Sequence, residues 1–193
     1  MMKKDVSALS RVNYVWQSFS LLVPIYVLLY TIMQSFVDLN WQGFIIFSVM
    51  IGAILCNELL VGYNILTAPS NLISTTCGLL NFNKNYYMTN STIILSFALG
   101  FYGLNMYFVK SINIAFLILL SFFLLMDIIY YVLICSDAGI GGRLVASILF
   151  GGAFGITWSS IHNTIYDNKS KNKKKTIAAA YLNGDLIGET TIQ

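Results

Sequence analysis

Charge is the first thing this chain lacks. Of its 193 residues, 10% are Asp, Glu, Lys or Arg, against about a quarter in water-soluble domains. Hydrophobic residues make up 57% and the mean hydropathy is +0.72, so there is too little polar side chain to cover a water-facing surface. A soluble globular domain is excluded. Proline occurs twice and histidine once, at His162. The three cysteines, Cys56, Cys77 and Cys135, are odd in number and widely spaced. They form neither a disulfide framework nor a metal-ligand motif, and a thiol in an apolar run behaves as a small hydrophobe. His162 has no cysteine or acid at ligand spacing and reads as an interfacial polar cap. Gly139–Arg143 lacks the Gly-Lys-Ser/Thr ending of a phosphate loop and the strand before it. No serine stands with His and Asp in a nucleophile motif. The sequence therefore assigns no catalytic, cofactor-binding or metal residue, and the chain reads as a non-enzyme without cofactor.

What the chain has in abundance is long apolar runs. Ile112–Cys135 carries a single charge, Asp127, and neither proline nor glycine. As a helix it is about 36 Å long at about 1.5 Å per residue, enough to cross a hydrocarbon core of roughly 30 Å. Comparable runs occupy 14–37, 43–63, 91–109 and 140–161, which predicts an all-α integral membrane protein with a bundle of four to five transmembrane helices. Tyr14, Trp16 and Trp41 stand where an interfacial aromatic belt places them. The remaining tyrosines and phenylalanines suit packing and headgroup belts better than nucleic-acid stacking, so no nucleic-acid partner is expected. The first run is too long for a signal-peptide core and reads as an uncleaved span. Pro24 lies within it, at a position where neighbouring helices can tolerate a kink.

The connections are polar. Residues 1–13 form a short arm with Lys3, Lys4 and Arg11 against Asp5. The longest connection, Asn64–Asn90, contains Pro69 and clusters of Ser, Thr and Asn that argue against a span. Residues 163–193 read as a basic linker followed by an extended or β-hairpin tail. The linker carries Lys169, Lys171, Lys173, Lys174 and Lys175. Asn183-Gly184 between two apolar-containing arms is a strong short-range hairpin signal. A lone hairpin is marginal in water, so an ordered tail would add to a partner protein's sheet or lie along its surface.

Charge and hydropathy disagree about topology. Both ends are basic, and the positive-inside rule asks for both in the cytoplasm. Five full crossings would place them on opposite sides, whereas four would not. The short third run and the glycine-rich fifth are the candidates for a partial crossing. Of the two glycosylation patterns, Asn90-Ser91-Thr92 abuts a span and is expected to be inaccessible, and Asn168-Lys169-Ser170 is usable only if the tail is luminal.

Ionisable groups inside spans are the default functional candidates, because lipid is a costly place for them. Glu58 and Asp127 each lie about 15 residues into spans that run in the same direction, which puts them at similar depth, roughly 23 Å along the helix. Arg143 begins the fifth run from that side. A cluster of Glu58, Asp127 and Arg143, with Asp137 at its rim, is thus expected either as a coupling-ion or proton site or as a structural ion pair fixing helix register. Ser147, Gly151 and Gly155 repeat every four residues, a spacing that lets helix backbones approach closely. They predict packing within the bundle or contact between copies in a homo-oligomer.

The bias towards Asn, Lys, Ile and Tyr, with several spans followed by a tail, resembles membrane proteins beneath the capsid of large DNA viruses. That resemblance implies a virion protein of the internal membrane whose tail touches capsid proteins. The expected function is a structural one: the bundle sits in the lipid bilayer and anchors a larger assembly. Contact with a partner or anionic lipid would come through the lysines and Asn183-Gly184. The competing expectation is a small ion- or proton-coupled transporter or channel subunit using Glu58 and Asp127. No internal repeat of the kind common in such transporters is present.

Overall fold

The computed structural model describes residues 2–37, 41–63, 65, 88–109, 113–134 and 140–182, and for the helix ends 2–14 and 166–182 it describes the course of the backbone. The described residues form five helices and no strand: α1 (Met2–Val37), α2 (Gln42–Gly62), α3 (Asn90–Val109), α4 (Ile114–Ile134) and α5 (Ile140–Leu182). Four segments are long and apolar enough to cross a membrane, namely Gln42–Gly62, Asn90–Phe108, Ile114–Leu133 and Ile140–Ile165. Among the described residues of α1, Leu22–Val37 is a further apolar stretch. The chain is thus an all-α, multi-pass membrane protein.

Helix starts follow local chemistry. Asn113 precedes α4 and its Oδ1 accepts from the Phe116 backbone N–H at 3.1 Å, satisfying one of the donors that a first helical turn leaves unpaired. Thr89 precedes α3, and its carbonyl accepts the first helical bond from Ile93. In α2 the first turn is held from outside, where Ser35 Oγ accepts from the Phe44 N–H at 2.9 Å.

α3 is the axis of the bundle. Its apolar window is 56% buried, against 33%, 22% and 28% for α2, α4 and the spanning part of α5, and it touches every other helix. Val23 and Val27 of α1, Met50 and Ile54 of α2, and Leu120 and Leu124 of α4 converge on Ile94, Phe97 and Phe101 of α3. The rings of Phe97 and Phe101 are parallel at 6.2 Å between centroids. The outer faces carry exposed Leu55, Leu59, Ile118, Leu133, Leu149 and Ile156, as expected where the surrounding solvent is lipid. Between α2 and α5 the outer surface opens into an apolar groove of about 620 Å³, lined by Val49, Gly52, Ala153, Phe154 and Trp158.

The α3–α5 seam is the most extensive in the molecule. A Cβ on Gly151 would collide with Ser96 Oγ and the Ile93 carbonyl, and one on Gly155 with the Phe97 carbonyl and the Phe101 N–H. On the facing helix, a Cβ on Gly100 would lie 2.8 Å from the Gly152 carbonyl oxygen. Ser147, four residues before Gly151, is fully buried against the start of α3. The small-residue register of α5 is thus spent inside the chain, against α3. Gly152, one position off that register, faces open space.

Two segments differ from the sequence expectation. The polar arm 1–13 is continuous with the first span from Met2 onward, and α1 carries Pro24 inside a single helix. At the other end α5 runs unbroken for 43 residues through the expected linker and through 176–182, where the sequence pattern places the first arm of a hairpin. The physical reason is helix propagation. Once a helix exists, each added residue gains a hydrogen bond without a new nucleation cost, and Lys, Ala and Leu are strong helix formers. An isolated hairpin has no such support. Asn183 and Gly184 lie outside the described residues, as do Asp137 and the connection 66–87.

Helix directions follow from which ends meet. The Asn57–Glu58 turn of α2, Asp127 of α4 and Ser147 of α5 all reach the first residues of α3. Gln34, near the end of α1, meets Tyr102 near the end of α3. α1, α3 and α5 therefore run one way and α2 and α4 the other. The two basic segments, 3–11 and 169–175, sit at opposite ends of the bundle.

Candidate functional site

Thr89, just before α3, and the first helical residues Asn90-Ser91-Thr92 are polar at the edge of an apolar run, and the fold buries all four. Buried polar groups are expensive in hydrocarbon unless paired. Here they are paired with three other helices at once. On the α2 side, Asn90 Nδ2 donates to Glu58 Oε1 at 2.7 Å, and Asn57 Nδ2 donates to Asn90 Oδ1 at 2.7 Å and to the Met88 carbonyl at 3.3 Å. On the α4 side, Thr92 Oγ1 donates to Asp127 Oδ2 at 2.7 Å and Ser91 Oγ donates to the same oxygen at 3.1 Å. Tyr131 Oη lies 3.1 Å from Ser91 Oγ. On the α5 side, the Thr89 N–H donates to Ser147 Oγ at 2.9 Å, and Ser147 Oγ donates to the Arg143 carbonyl at 2.8 Å. Thr89 Oγ1 closes the set by donating to Thr92 Oγ1 at 2.7 Å.

The electrostatics follow from the same placement. Asp127 is 2% exposed and Arg143 3% exposed, and Glu58 is half-buried. Asp127 stands beside the amino-terminal turn of α3, where unpaired backbone N–H groups and the helix dipole favour negative charge. The hydroxyls of Ser91 and Thr92 both donate to its Oδ2. The arrangement can hold a carboxylate deep in an apolar bundle, and it couples the positions of four helices through one turn of α3.

The structure brings Glu58, Asp127 and Arg143 to the same end of the bundle. The two carboxylates are joined through Asn90 and Thr92 of α3. Sequence reasoning missed Asn57, Thr89, Asn90, Ser91 and Thr92. A signal is there: a Thr-Asn-Ser-Thr stretch directly before an apolar run is a helix-start pattern, whereas the sequence reading divides it between a polar connection ending at Asn90 and a span from about Ser91, and reads Asn90-Ser91-Thr92 as a glycosylation pattern. Asn90 is 1% exposed with its amide committed to Glu58. Tyr131 carried no distinguishing signal, being one of many aromatics in the fourth run.

Along α3 the polar end gives way to Ile93, Ile94, Leu95, Phe97, Ala98 and Phe101, all buried. His162 lies at the far end of the bundle, with its ring 6.1 Å from that of Phe101, away from Asp127, Ser91 and Ser147. Among the described residues, no group of three or more His, Cys, Asp or Glu could hold a metal ion. Lys169, Lys171, Lys173, Lys174 and Lys175 fall on the helical backbone of α5 beyond Ile165. Compared with known protein families, curated proteins and solved structures, the chain matches none of them.

Proposed function

We propose that this protein is a non-enzymatic membrane anchor. Its bundle fixes α5 in the bilayer, and the continuation of α5 presents a lysine-rich helix to a partner protein of a larger assembly. One observation carries this reading: α5 passes from its spanning part, ending near Ile165, to Leu182 without a break. That continuation is about 26 Å long at about 1.5 Å per residue, and it carries five of the chain's eleven basic residues. A helix continuous with a packed span transmits position, which suits a spacer between a membrane and a protein layer. The finer form of the proposal is an internal virion membrane linked to a capsid, as the compositional resemblance implies. The buried plug of Ile94, Phe97 and Phe101 supports an anchoring role over a conducting one, because it places apolar side chains along the bundle axis.

The test is mild-detergent extraction from the native source, followed by sizing and lysine cross-linking. A large assembly cross-linked through Lys169–Lys175 is expected. A small homogeneous particle with a protease-sensitive tail would overturn the proposal.

A second reading, an ion- or proton-coupled transporter subunit, is favoured by one observation. Glu58 and Asp127 bind consecutive parts of the same α3 turn, so a change in charge at one is felt at the other. Paired Glu58→Gln and Asp127→Asn variants test it in a flux assay, and unchanged flux in both would remove it.

A further inference from the structure

At the end of the bundle opposite the carboxylates, four helices close around a small polar chamber. Gln34 of α1, Gln42 of α2, Tyr102 and Asn105 of α3, and His162 of α5 line it, with Gly43, Ile46 and Phe101 completing the wall. Its volume is about 30 Å³, whereas a water molecule needs at least roughly 10–15 Å³ and two to four polar partners. The walls are fixed. Tyr102 Oη donates to Gln34 Oε1 at 3.2 Å, tying α1 to α3. The Phe101 ring stands edge-on to the His162 imidazole at 6.1 Å between centroids. At Gly43, the α1–α2 approach is so close that a Cβ would collide with the Thr31 carbonyl.

Two buried atoms of the chamber's lining residues, Asn105 Oδ1 and His162 Nδ1, have no hydrogen-bond partner among the described residues. In the Nε2–H tautomer, His162 Nδ1 is an acceptor, as is an amide oxygen. Two buried acceptors cannot satisfy each other. They call for a small molecule with two donors, and in a protein interior that molecule is water. Gln34 carries amide N–H groups of the kind that donate to its oxygen. None of the lining side chains is a carboxylate or thiolate, so the chamber lacks the anionic oxygen or sulfur donors that a divalent cation usually takes.

We propose that this chamber binds one structural water molecule, which donates to Asn105 Oδ1 and to His162 Nδ1. The bridge ties α3 to α5 just before α5 leaves the bundle. It also gives His162 a role different from that of an exposed interfacial cap: its ring faces inward, and its tautomer is set by the water.

The chain has a single histidine, so ¹⁵N-histidine labelling of the full-length protein in lipid nanodiscs gives one imidazole signal pair. The expected spectrum shows Nε2 protonated, Nδ1 at the shift of a hydrogen-bonded acceptor, and magnetisation transfer from a bound water to the ring. Asn105→Leu should reduce that transfer several-fold and move Nδ1 towards the free-acceptor shift. If that variant fails to fold, Asn105→Ser, which keeps a hydroxyl and enlarges the chamber, should retain the water signal. A wild-type ring protonated at Nδ1, or a ring that receives no magnetisation from water, would overturn the proposal.

Discussion

Asn90 Nδ2 donates to Glu58 Oε1 at 2.7 Å across the α2–α3 contact. The other end of the same amide accepts from Asn57, so one side chain satisfies two residues of α2. Removing it by Asn90→Ala strips a partner from both at a buried site. The expected loss is about 1–3 kcal/mol of stability, read by unfolding in mixed micelles. A change below a few tenths would show that the contact does not hold α2 in place.

The hydroxyl of Thr92 donates to Asp127 at 2.7 Å. Thr92→Val keeps the shape and deletes the donor, so a stability loss of about 1–3 kcal/mol is expected. Adding Asp127→Asn to that variant should cost less than adding it to the wild type, because the two residues share one interaction. A double-mutant cycle measures this coupling, and strict additivity would contradict the contact.

The α3–α5 seam makes a paired prediction about glycines. Gly151→Val and Gly155→Val push side chains into the backbone of α3, and overpacking of this kind costs typically about 1–3 kcal/mol. Gly152→Ala and Gly52→Ala meet open space and should be neutral or stabilising by up to about 1 kcal/mol from helix propensity. Equal effects at Gly151 and Gly152 would mean that the seam is not where the structure puts it.

Because α1 and α5 run in parallel, their polar ends should be reached from opposite faces of the membrane. In a background with the native cysteines replaced, Ser7→Cys and Ser170→Cys report each end to a membrane-impermeant maleimide. Labelling of the two from opposite sides is expected. Labelling of both from one side would overturn the parallel arrangement and favour the positive-inside expectation for both ends.

The spans were legible in the sequence because lipid leaves little choice: backbone groups must pair within the segment, so a long apolar run becomes a helix. Span boundaries came within a few residues for α2, α3 and α4. That Glu58 and Asp127 reach the same end of the bundle was legible too, since a constant rise per residue converts sequence distance into distance along a helix. The roles of Asn57 and Asn90 were not, because an amide at a run's edge can face water, lipid or a neighbour, and the pattern does not say which.

By itself the sequence determined the solvent, the helical class and the register of small residues on α5. Each depends on local composition or spacing, which a chain carries before it folds. The tertiary structure alone decided that α3 is the axis, that Gly151 and Gly155 meet α3 within the same chain, and that the Thr89–Thr92 turn collects polar groups from three other helices. These facts concern which helix faces meet. In a membrane every apolar face is equally at home against lipid, so backbone approach and hydrogen bonding select the neighbours, and hydrophobicity does not.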